Sequence, residues 1–128
     1  MTGAALIDTS VYVGREHGRP MLADPPTRAA VSVVTIAELW AGVLAAPDDR
    51  SRLIRQQTLT VALSTPPLLV DRPVAEQWAA LRCAIREAKR GPLGNDLWIA
   101  ATAVVHGLPL VTQDRDYLDV PGLQVIQV

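Results

Sequence analysis

Four acidic residues attract attention because each stands where a predicted strand ends or a predicted helix begins. Asp8 and Asp114 each follow a short apolar run with the composition of a strand, whereas Glu38 and Asp96 lie at the start of predicted helices. The carboxyl ends of parallel strands and the amino ends of the helices that follow them share one edge of a sheet. We therefore expect all four carboxylates at a single edge.

Carboxylates gathered in this way repel one another and raise one another's pKa values unless a cation neutralises them. A set of oxygen ligands favours a hard divalent ion, so Mg²⁺ or Mn²⁺ fits better than zinc. The two histidines are poor additional ligands, because His106 falls at a predicted helix C-terminus and His17 in an irregular segment. Such ions activate water and stabilise the leaving oxygen in phosphodiester hydrolysis, which is the reaction that the pattern predicts.

Each acid also has a simpler explanation when it is taken alone. Glu38 could complete a capping box with Thr35, and Asp8 and Asp96 could cap helices. Asp114 could form an Asx turn. These explanations remain open for the single residues, but the coincidence of four acids at one edge favours a shared site.

Short β-prone runs bounded by Pro, Gly or Asp predict five strands. They are Leu6-Ile7 with the preceding alanines, Val31–Val34, Leu68–Val70, Leu110-Val111 and Leu123–Ile126. Helical patterns lie between them: Ile36–Ala46, Arg50–Leu63, a helix from Val74 that Asp71 and Pro73 introduce and Gly91-Pro92 ends, and Leu97–Val105. Alternating strands and helices predict a three-layer α/β/α sandwich around a short, mostly parallel five-stranded sheet. The stretch Gly14–Pro26 is predicted to be an irregular, mobile surface loop.

The composition limits the classes of protein that the chain can represent. With 128 residues and 49% hydrophobic content it can bury one core, and we expect a single domain over residues 1–128. The net charge of -1 gives no general attraction to nucleic acid, so any such binding must be local. Cys83 is the only cysteine, which excludes an internal disulfide and a thiolate zinc cluster. Without a basic leader or the ~20 apolar residues of a membrane helix, a cytoplasmic protein is expected.

Four motifs carry a resemblance to a known family. They are Leu-Ile-Asp8-Thr-Ser-Val, Val-Ser-Val-Val-Thr-Ile-Ala-Glu38-Leu, Gly-Asn95-Asp96-Leu-Trp-Ile-Ala-Ala-Thr-Ala and Leu-Val-Thr112-Gln-Asp114-Arg-Asp116-Tyr. In this order and at these separations the chain resembles the PIN-domain nucleases, specifically the VapC-type toxins of bacterial toxin–antitoxin pairs. The resemblance extends over essentially the whole chain.

The resemblance implies a PIN-like fold and an RNA substrate that is cut by metal-activated water. It implies Asp8, Glu38 and Asp96 as the principal carboxylates and Asp114 as the fourth, with Asp116 as an open alternative. Thr9, Ser10 and Thr112 resemble the small hydroxyl residues that orient those acids or the attacking water, and Asn95 stands where the family often carries an accompanying amide. Ordinary capping is an equally available explanation for these four.

Two partners are also implied by the resemblance. One is a second copy of the chain in a homodimer, and the other is a cognate VapB-type antitoxin that directs a side chain, often arginine, towards the acids. The helix that starts at Ile36, with Leu39, Trp40 and Val43, is a candidate surface for a partner helix. Core packing is the other explanation and the one favoured for most of these residues, and one helix can serve both roles.

Basic residues form two groups on predicted helices, and either group could line a path for RNA. The first group is Arg82, Arg86, Lys89 and Arg90, and the second is Arg50, Arg52 and Arg55. A solvated helix face is the alternative meaning of both groups.

Two functions other than RNA cleavage are compatible with an acidic sheet edge. A binding module on the same fold would use the acids to hold a partner's arginine and would catalyse nothing. A phosphoacceptor domain would need a lysine at the end of the last strand, and Lys89, the only lysine, is predicted in a helix. The phosphoacceptor is therefore set aside, and the binding module remains the alternative.

Overall fold

The computed structural model describes residues 3–21, 28–89 and 91–128. In these ranges four short strands and five α-helices follow one another. The elements are β1 (Ala4–Ile7), α1 (Thr9–Glu16), β2 (Arg28–Ala30), α2 (Val33–Leu44), α3 (Asp49–Ala62), α4 (Arg72–Ala88), α5 (Asn95–His106), β3 (Leu110–Thr112), a 3₁₀ turn (Arg115–Tyr117) and β4 (Val125–Gln127).

The four strands form one parallel sheet in the order β2-β1-β3-β4. The chain leaves β1 towards β2 on one side and later crosses over to β3 on the other side. Open α/β sheets bind ligands at such a reversal of strand order, outside the carboxyl ends of the two central strands. The topology therefore places a potential site beyond the ends of β1 and β3.

Hydrophobic side chains pack on both faces of the sheet, because successive strand residues point to opposite sides. Leu6 and Leu110 join one core with residues of α4 and α5. Ile7 and Val111 join a second core with residues of α1, α2 and α3. Helices on both faces of a parallel sheet confirm the predicted α/β/α class.

The helix boundaries of α4 and α5 follow the signals in the sequence. The side chain of Asp71 accepts a hydrogen bond from the Val74 amide (3.2 Å), and α4 ends at Lys89 in the left-handed conformation (φ 58°). Helix α5 ends at Gly107, where a positive φ of 63° suits a residue without a Cβ atom. None of the helices in the described ranges is long and apolar enough to cross a membrane.

The prediction of five strands was wrong in number and in the bounds of two strands, one of which is Val125–Gln127 rather than Leu123–Ile126. Leu68 forms only an isolated bridge to Ser32, so Leu68–Val70 is not a strand. The second strand is Arg28–Ala30 rather than Val31–Val34. The reason is local: the Ser32 side chain accepts a hydrogen bond from the Val34 amide (3.0 Å), which starts α2 at Val33.

The stretch Gly14–Pro26 is only partly irregular. Its first residues belong to α1, which the sequence analysis missed because the helix is short and rich in β-branched residues. Val11 and Tyr12 bury one side of α1 in the second core. Residues 17–21 form no regular helix or strand, as predicted for a loop. Residues 22–27 lie outside the described ranges, so the prediction is not tested for them.

The apolar residues of α2, the candidate surface for a partner helix, have two different environments. Leu39 and Val43 are buried in the second core, so core packing is the correct explanation for them. Trp40 and Leu44 are 52% and 72% exposed on the other side of α2, which leaves them accessible to a partner.

Candidate active site

The four acids lie around the carboxyl ends of the two central strands. Asp8 is the first residue after β1, and its amide donates to the Val111 carbonyl of β3 (2.9 Å). Asp114 is two residues beyond the end of β3, while Glu38 and Asp96 belong to the amino-terminal halves of α2 and α5. The parallel sheet therefore brings the ends of four separate chain segments to one edge.

Asp8 is a buried carboxylate, 2% exposed, that is held by side chains alone. Its Oδ2 accepts hydrogen bonds from Ser10 Oγ (2.7 Å) and Thr112 Oγ1 (2.8 Å), and its Oδ1 accepts from the hydroxyl of Tyr117 (3.1 Å). Asp8 occupies the N-cap position of α1, but its side chain makes no capping hydrogen bond. Helix capping therefore does not explain the carboxylate at this position.

The two short hydroxyl residues that hold Asp8 are themselves fixed by the backbone of the segment after β3. The Gln113 amide donates to Ser10 Oγ (3.0 Å), and the Asp114 amide donates to Thr112 Oγ1 (2.9 Å). Each hydroxyl has one proton, which it gives to Asp8, and accepts from an amide. The orientation of Asp8 is thus set by β1, β3 and the segment that carries Asp114.

Glu38 points to the same edge and is not part of a capping box. Its Oε1 accepts from Thr9 Oγ1 (2.7 Å), and Thr9 Oγ1 also lies 3.0 Å from Thr35 Oγ1. The capping-box prediction was wrong because Ser32, not Thr35, caps α2, so Thr35 and Glu38 lie inside the helix. Thr9 directly follows Asp8, and its hydrogen bond ties Glu38 to the end of β1.

Asp96 is half-buried in the first turn of α5, where Gly94 is the N-cap residue. Its pKa is raised from 3.8 to about 6, first by burial and then by the charges of Asp8, Asp114 and Glu38. A hydrogen bond from Tyr117 opposes this shift. The helix N-terminus favours an anion, but burial together with the neighbouring carboxylates outweighs that effect.

Asp114 and Asp116 differ in their relation to the other acids. Asp114 is half-buried and contributes to the raised pKa of Asp96, whereas Asp116 is exposed. Asp114 Oδ1 also accepts from the Asp116 amide (2.9 Å), so the predicted turn role is present as well. The electrostatic contact favours Asp114 as the fourth acid. Asn95, at the first position of α5, is exposed.

Tyr117 is a site residue that the sequence analysis did not identify. Its ring is fully buried in the first core, and its hydroxyl reaches Asp8. Burial, followed by the charges of Asp8 and Asp96, holds the pKa of this phenol far above its usual value, so the hydroxyl keeps its proton. In the sequence, an aromatic residue directly after Asp114-Arg115-Asp116 indicates a position in the hydrophobic core. Only its phenolic hydroxyl group could have indicated a contact with the acids.

The acids fit a hydrated hard cation better than a closed cage of protein ligands. In the described part of the chain no three His, Cys, Asp or Glu side chains form a ready metal cluster, and no Lys or Arg forms an ion pair with the four acids. Mg²⁺ retains several waters and binds through one or two carboxylates. Oδ1 of Asp8 receives one hydrogen bond and keeps a lone pair that a cation can use.

The described residues of the first basic group lie on the last turns of α4 and just after it, and the second group is partly structural. Arg82, Arg86 and Lys89 are exposed near the end of α4, and the six residues 89–94 lead from there to α5 and Asp96. Arg90 lies outside the described ranges. In the second group, Arg52 pairs with Asp49 (3.1 Å) and Arg55 donates to the Gly42 carbonyl (2.7 Å), as expected for residues that stabilise helices.

Comparison with known proteins agrees with this geometry. The sequence matches the PIN-domain family over residues 5–123. It is 45% identical to ribonuclease VapC4 of Mycobacterium tuberculosis, over 97% of this chain and 96% of that protein. It is 41% identical to ribonuclease VapC5 of the same species, over 98% of this chain and 93% of that protein.

Solved structures give the same result. A VapBC-5 structure, from a toxin–antitoxin family of M. tuberculosis, superposes with a TM-score of 0.86 at 39% identity, covering 99% of this chain and 100% of that chain. A VapBC2 structure from Rickettsia felis shares the fold with a TM-score of 0.80 at 22% identity, covering 97% and 98%. The chain therefore belongs to the PIN-domain family, in its VapC branch, which confirms the resemblance inferred from the four motifs.

The raised pKa of Asp96 predicts a pH-dependent effect of Asp96→Asn in metal-free protein. Because the folded pKa is about 6 and the ordinary value is 3.8, the folded state holds this proton more tightly than the unfolded state. That contribution to stability is present below about pH 4 and is lost as the pH rises through about 6. At about pH 7, Asp96→Asn should raise the free energy of unfolding by about 1 kcal/mol, allowing for solvent screening of a half-exposed group.

Urea unfolding in EDTA at about pH 4 and about pH 7 measures this difference. The exposed Asp116→Asn is the matched control and should change stability little at either pH. Equal stability of Asp96→Asn and the wild type at both pH values would contradict the convergence of the four carboxylates.

Proposed function

We propose that this PIN-domain protein is a metal-dependent endoribonuclease and the toxin of a toxin–antitoxin pair. The observation that carries the proposal is the meeting of Asp8, Glu38, Asp96 and Asp114 at the reversal of strand order, where burial and the charges of the other three acids raise the pKa of Asp96. The two relatives with the names VapC4 and VapC5 are ribonucleases, which supports RNA as the substrate class.

The four acids would hold Mg²⁺ or Mn²⁺, which when bound supplies an activated water and charge stabilisation at the phosphate. The chain's own contribution is the placement of oxygen ligands. Asp8 is fixed by three hydroxyl donors and serves as the rigid ligand. Asp96 is more exposed, and with a pKa of about 6 it is mostly ionised at neutral pH. Thr9 holds Glu38 in place, so that two segments contribute ligands at a defined separation.

The phosphate backbone of RNA would pass along the end of α4. Arg82, Arg86 and Lys89 line a shallow groove there together with the apolar residues Ile85 and Leu93. The cations can contact phosphates, and the apolar residues can contact unstacked bases. The loop from Gly91 to Gly94 connects this groove to Asp96, so a strand bound there is directed towards the acids.

A VapB-type antitoxin and a second copy of the chain are the proposed protein partners. The structures of M. tuberculosis VapBC-5 and R. felis VapBC2 are of toxin–antitoxin systems, which supports an antitoxin for this chain. The exposed side of α2, with Trp40 and Leu44, offers apolar surface for a partner helix. An arginine from the antitoxin could occupy the acidic edge, since none of the four acids pairs with a cation in the described ranges.

Loss of a metal-binding carboxylate should abolish RNA cleavage without unfolding the protein. Asp8→Asn and Asp96→Asn should each lower the cleavage rate by about 100-fold or more, because each removes an anionic ligand while retaining size and shape. The assay is purified, antitoxin-free protein with total cellular RNA and added Mg²⁺ or Mn²⁺, followed by sequencing of the new ends.

Asp116→Asn is the control for this assay and should retain cleavage. Activity that persists in EDTA would contradict a metal-dependent nuclease. Calorimetric titration separates the binding-module alternative: failure to bind Mn²⁺, with tight binding of an arginine-containing peptide and no cleavage, would favour that alternative.

The proposed RNA path predicts a salt-dependent effect of Arg86→Ala. RNA affinity should weaken for all sequences, and the slope of log affinity against log salt should fall by roughly 0.7 for one lost phosphate contact to a single strand. The control is Arg72→Ala, which removes an exposed arginine at the opposite end of α4. Binding measured in the Asp8→Asn background avoids cleavage, and equal slopes in both variants would count against this path.

A further inference from the structure

We propose that Tyr117 is a positioning residue whose buried hydroxyl holds the carboxylate of Asp8 in place next to Asp96 and so sets the affinity of the site for its metal ion. The part that concerns metal affinity rests on the proposed function. The part that concerns the placement of the two carboxylates rests on the contacts alone.

The geometry of the hydroxyl is the first argument. Tyr117 is 0% exposed, and its hydroxyl lies 3.1 Å from Asp8 Oδ1, a bond between side chains separated by 109 residues. Tyr117 and Asp96 also influence each other's pKa, so the hydroxyl lies close to the Asp96 carboxylate as well. Asp8 follows β1 and Asp96 lies in the first turn of α5, so the hydroxyl lies near two carboxylates from distant parts of the sequence.

The energetics of burial are the second argument. The ring of Tyr117 packs in the first core among residues such as Leu97, Leu110 and Val120, a role that phenylalanine could fill. A buried hydroxyl costs free energy unless it has a hydrogen-bond partner. Its hydrogen-bond partner here is the carboxylate of Asp8, and a hydrogen bond to an ionised group is stronger than one between neutral groups. The presence of a hydroxyl group on this buried ring is therefore explained by its hydrogen bond to the site and not by packing in the core.

The third argument is that the Tyr117 hydroxyl has a single proton, which limits how many carboxylates it can serve as a donor. A phenol has one proton and can donate it to one carboxylate at a time. Asp8 already receives two donors on Oδ2, from Ser10 and Thr112, and the tyrosine is the donor on the other oxygen. With one proton between two anions, the hydroxyl offsets part of their repulsion and still leaves oxygen lone pairs for a cation.

The turn that carries Tyr117 is held by another of the acids. Arg115–Tyr117 is a 3₁₀ turn, and Asp114 caps it by accepting from the Asp116 amide (2.9 Å). The Asp114 amide in turn donates to Thr112 Oγ1, which holds Asp8. Asp8 is therefore contacted twice by the same segment, once by Thr112 at the end of β3 and once by the hydroxyl of Tyr117 in the turn that follows.

The test is Tyr117→Phe, which removes the hydroxyl and keeps the ring. Tyr12→Phe is the matched control, because Tyr12 is the only other tyrosine and is also buried, but lies in the second core. Calorimetric titration with Mn²⁺ should give a dissociation constant about tenfold higher for Tyr117→Phe, the effect typical of a lost partner of a metal ligand. Tyr12→Phe should bind Mn²⁺ as the wild type does.

Crystal structures of both metal-free variants supply a readout that needs neither metal nor activity. Tyr117→Phe should show the carboxylates of Asp8 and Asp96 moved apart or turned, and Tyr12→Phe should not. Unchanged carboxylates together with unchanged Mn²⁺ affinity would overturn the proposal, as would a Tyr117→Phe chain that cannot fold. If the wild type bound no Mn²⁺, the proposed function would fail, while the metal-free structures would still decide the role of Tyr117 in placing the carboxylates.

Discussion

Repulsion among carboxylates gathered at one edge of the sheet is the interaction on which the rest of the site depends. Asp8 is almost fully buried and Asp96 is half-buried, so water screens their charges poorly. In the residues that the structure describes, hydroxyl donors from Ser10, Thr112 and Tyr117, and no Lys or Arg ion pairs, offset this cost. Hydroxyl groups fix the carboxylates while adding no positive charge that would exclude a metal ion.

The polarity of the parallel sheet creates this concentration of charge. Strand β1 has β2 on one side and β3 on the other, so its carboxyl end lies at the reversal of strand order. Helices on both faces bury the strands and position the starts of α2 and α5 at the same edge. The convergence is thus a consequence of topology, and the local contacts refine it.

Sequence reasoning identified the four acids because strand polarity alone predicts where they meet. It misjudged the start of α2, since the Val31–Val34 run has strand composition and only the Ser32 cap determines that a helix begins there. It overlooked Tyr117, because a long-range contact between a turn and the end of β1 leaves no periodic signal. The positions of residues were predictable where they follow from the direction of the chain, whereas contacts that depend on one side chain reaching another element were not.

The most direct measurement of the central claim is anomalous X-ray scattering from crystals of the wild-type protein soaked in Mn²⁺. The account predicts an anomalous peak beyond the carboxyl ends of β1 and β3, within coordination distance of Asp8 and at least one of Glu38, Asp96 and Asp114. Manganese bound elsewhere on the chain, with this edge empty at saturating concentration, would contradict it.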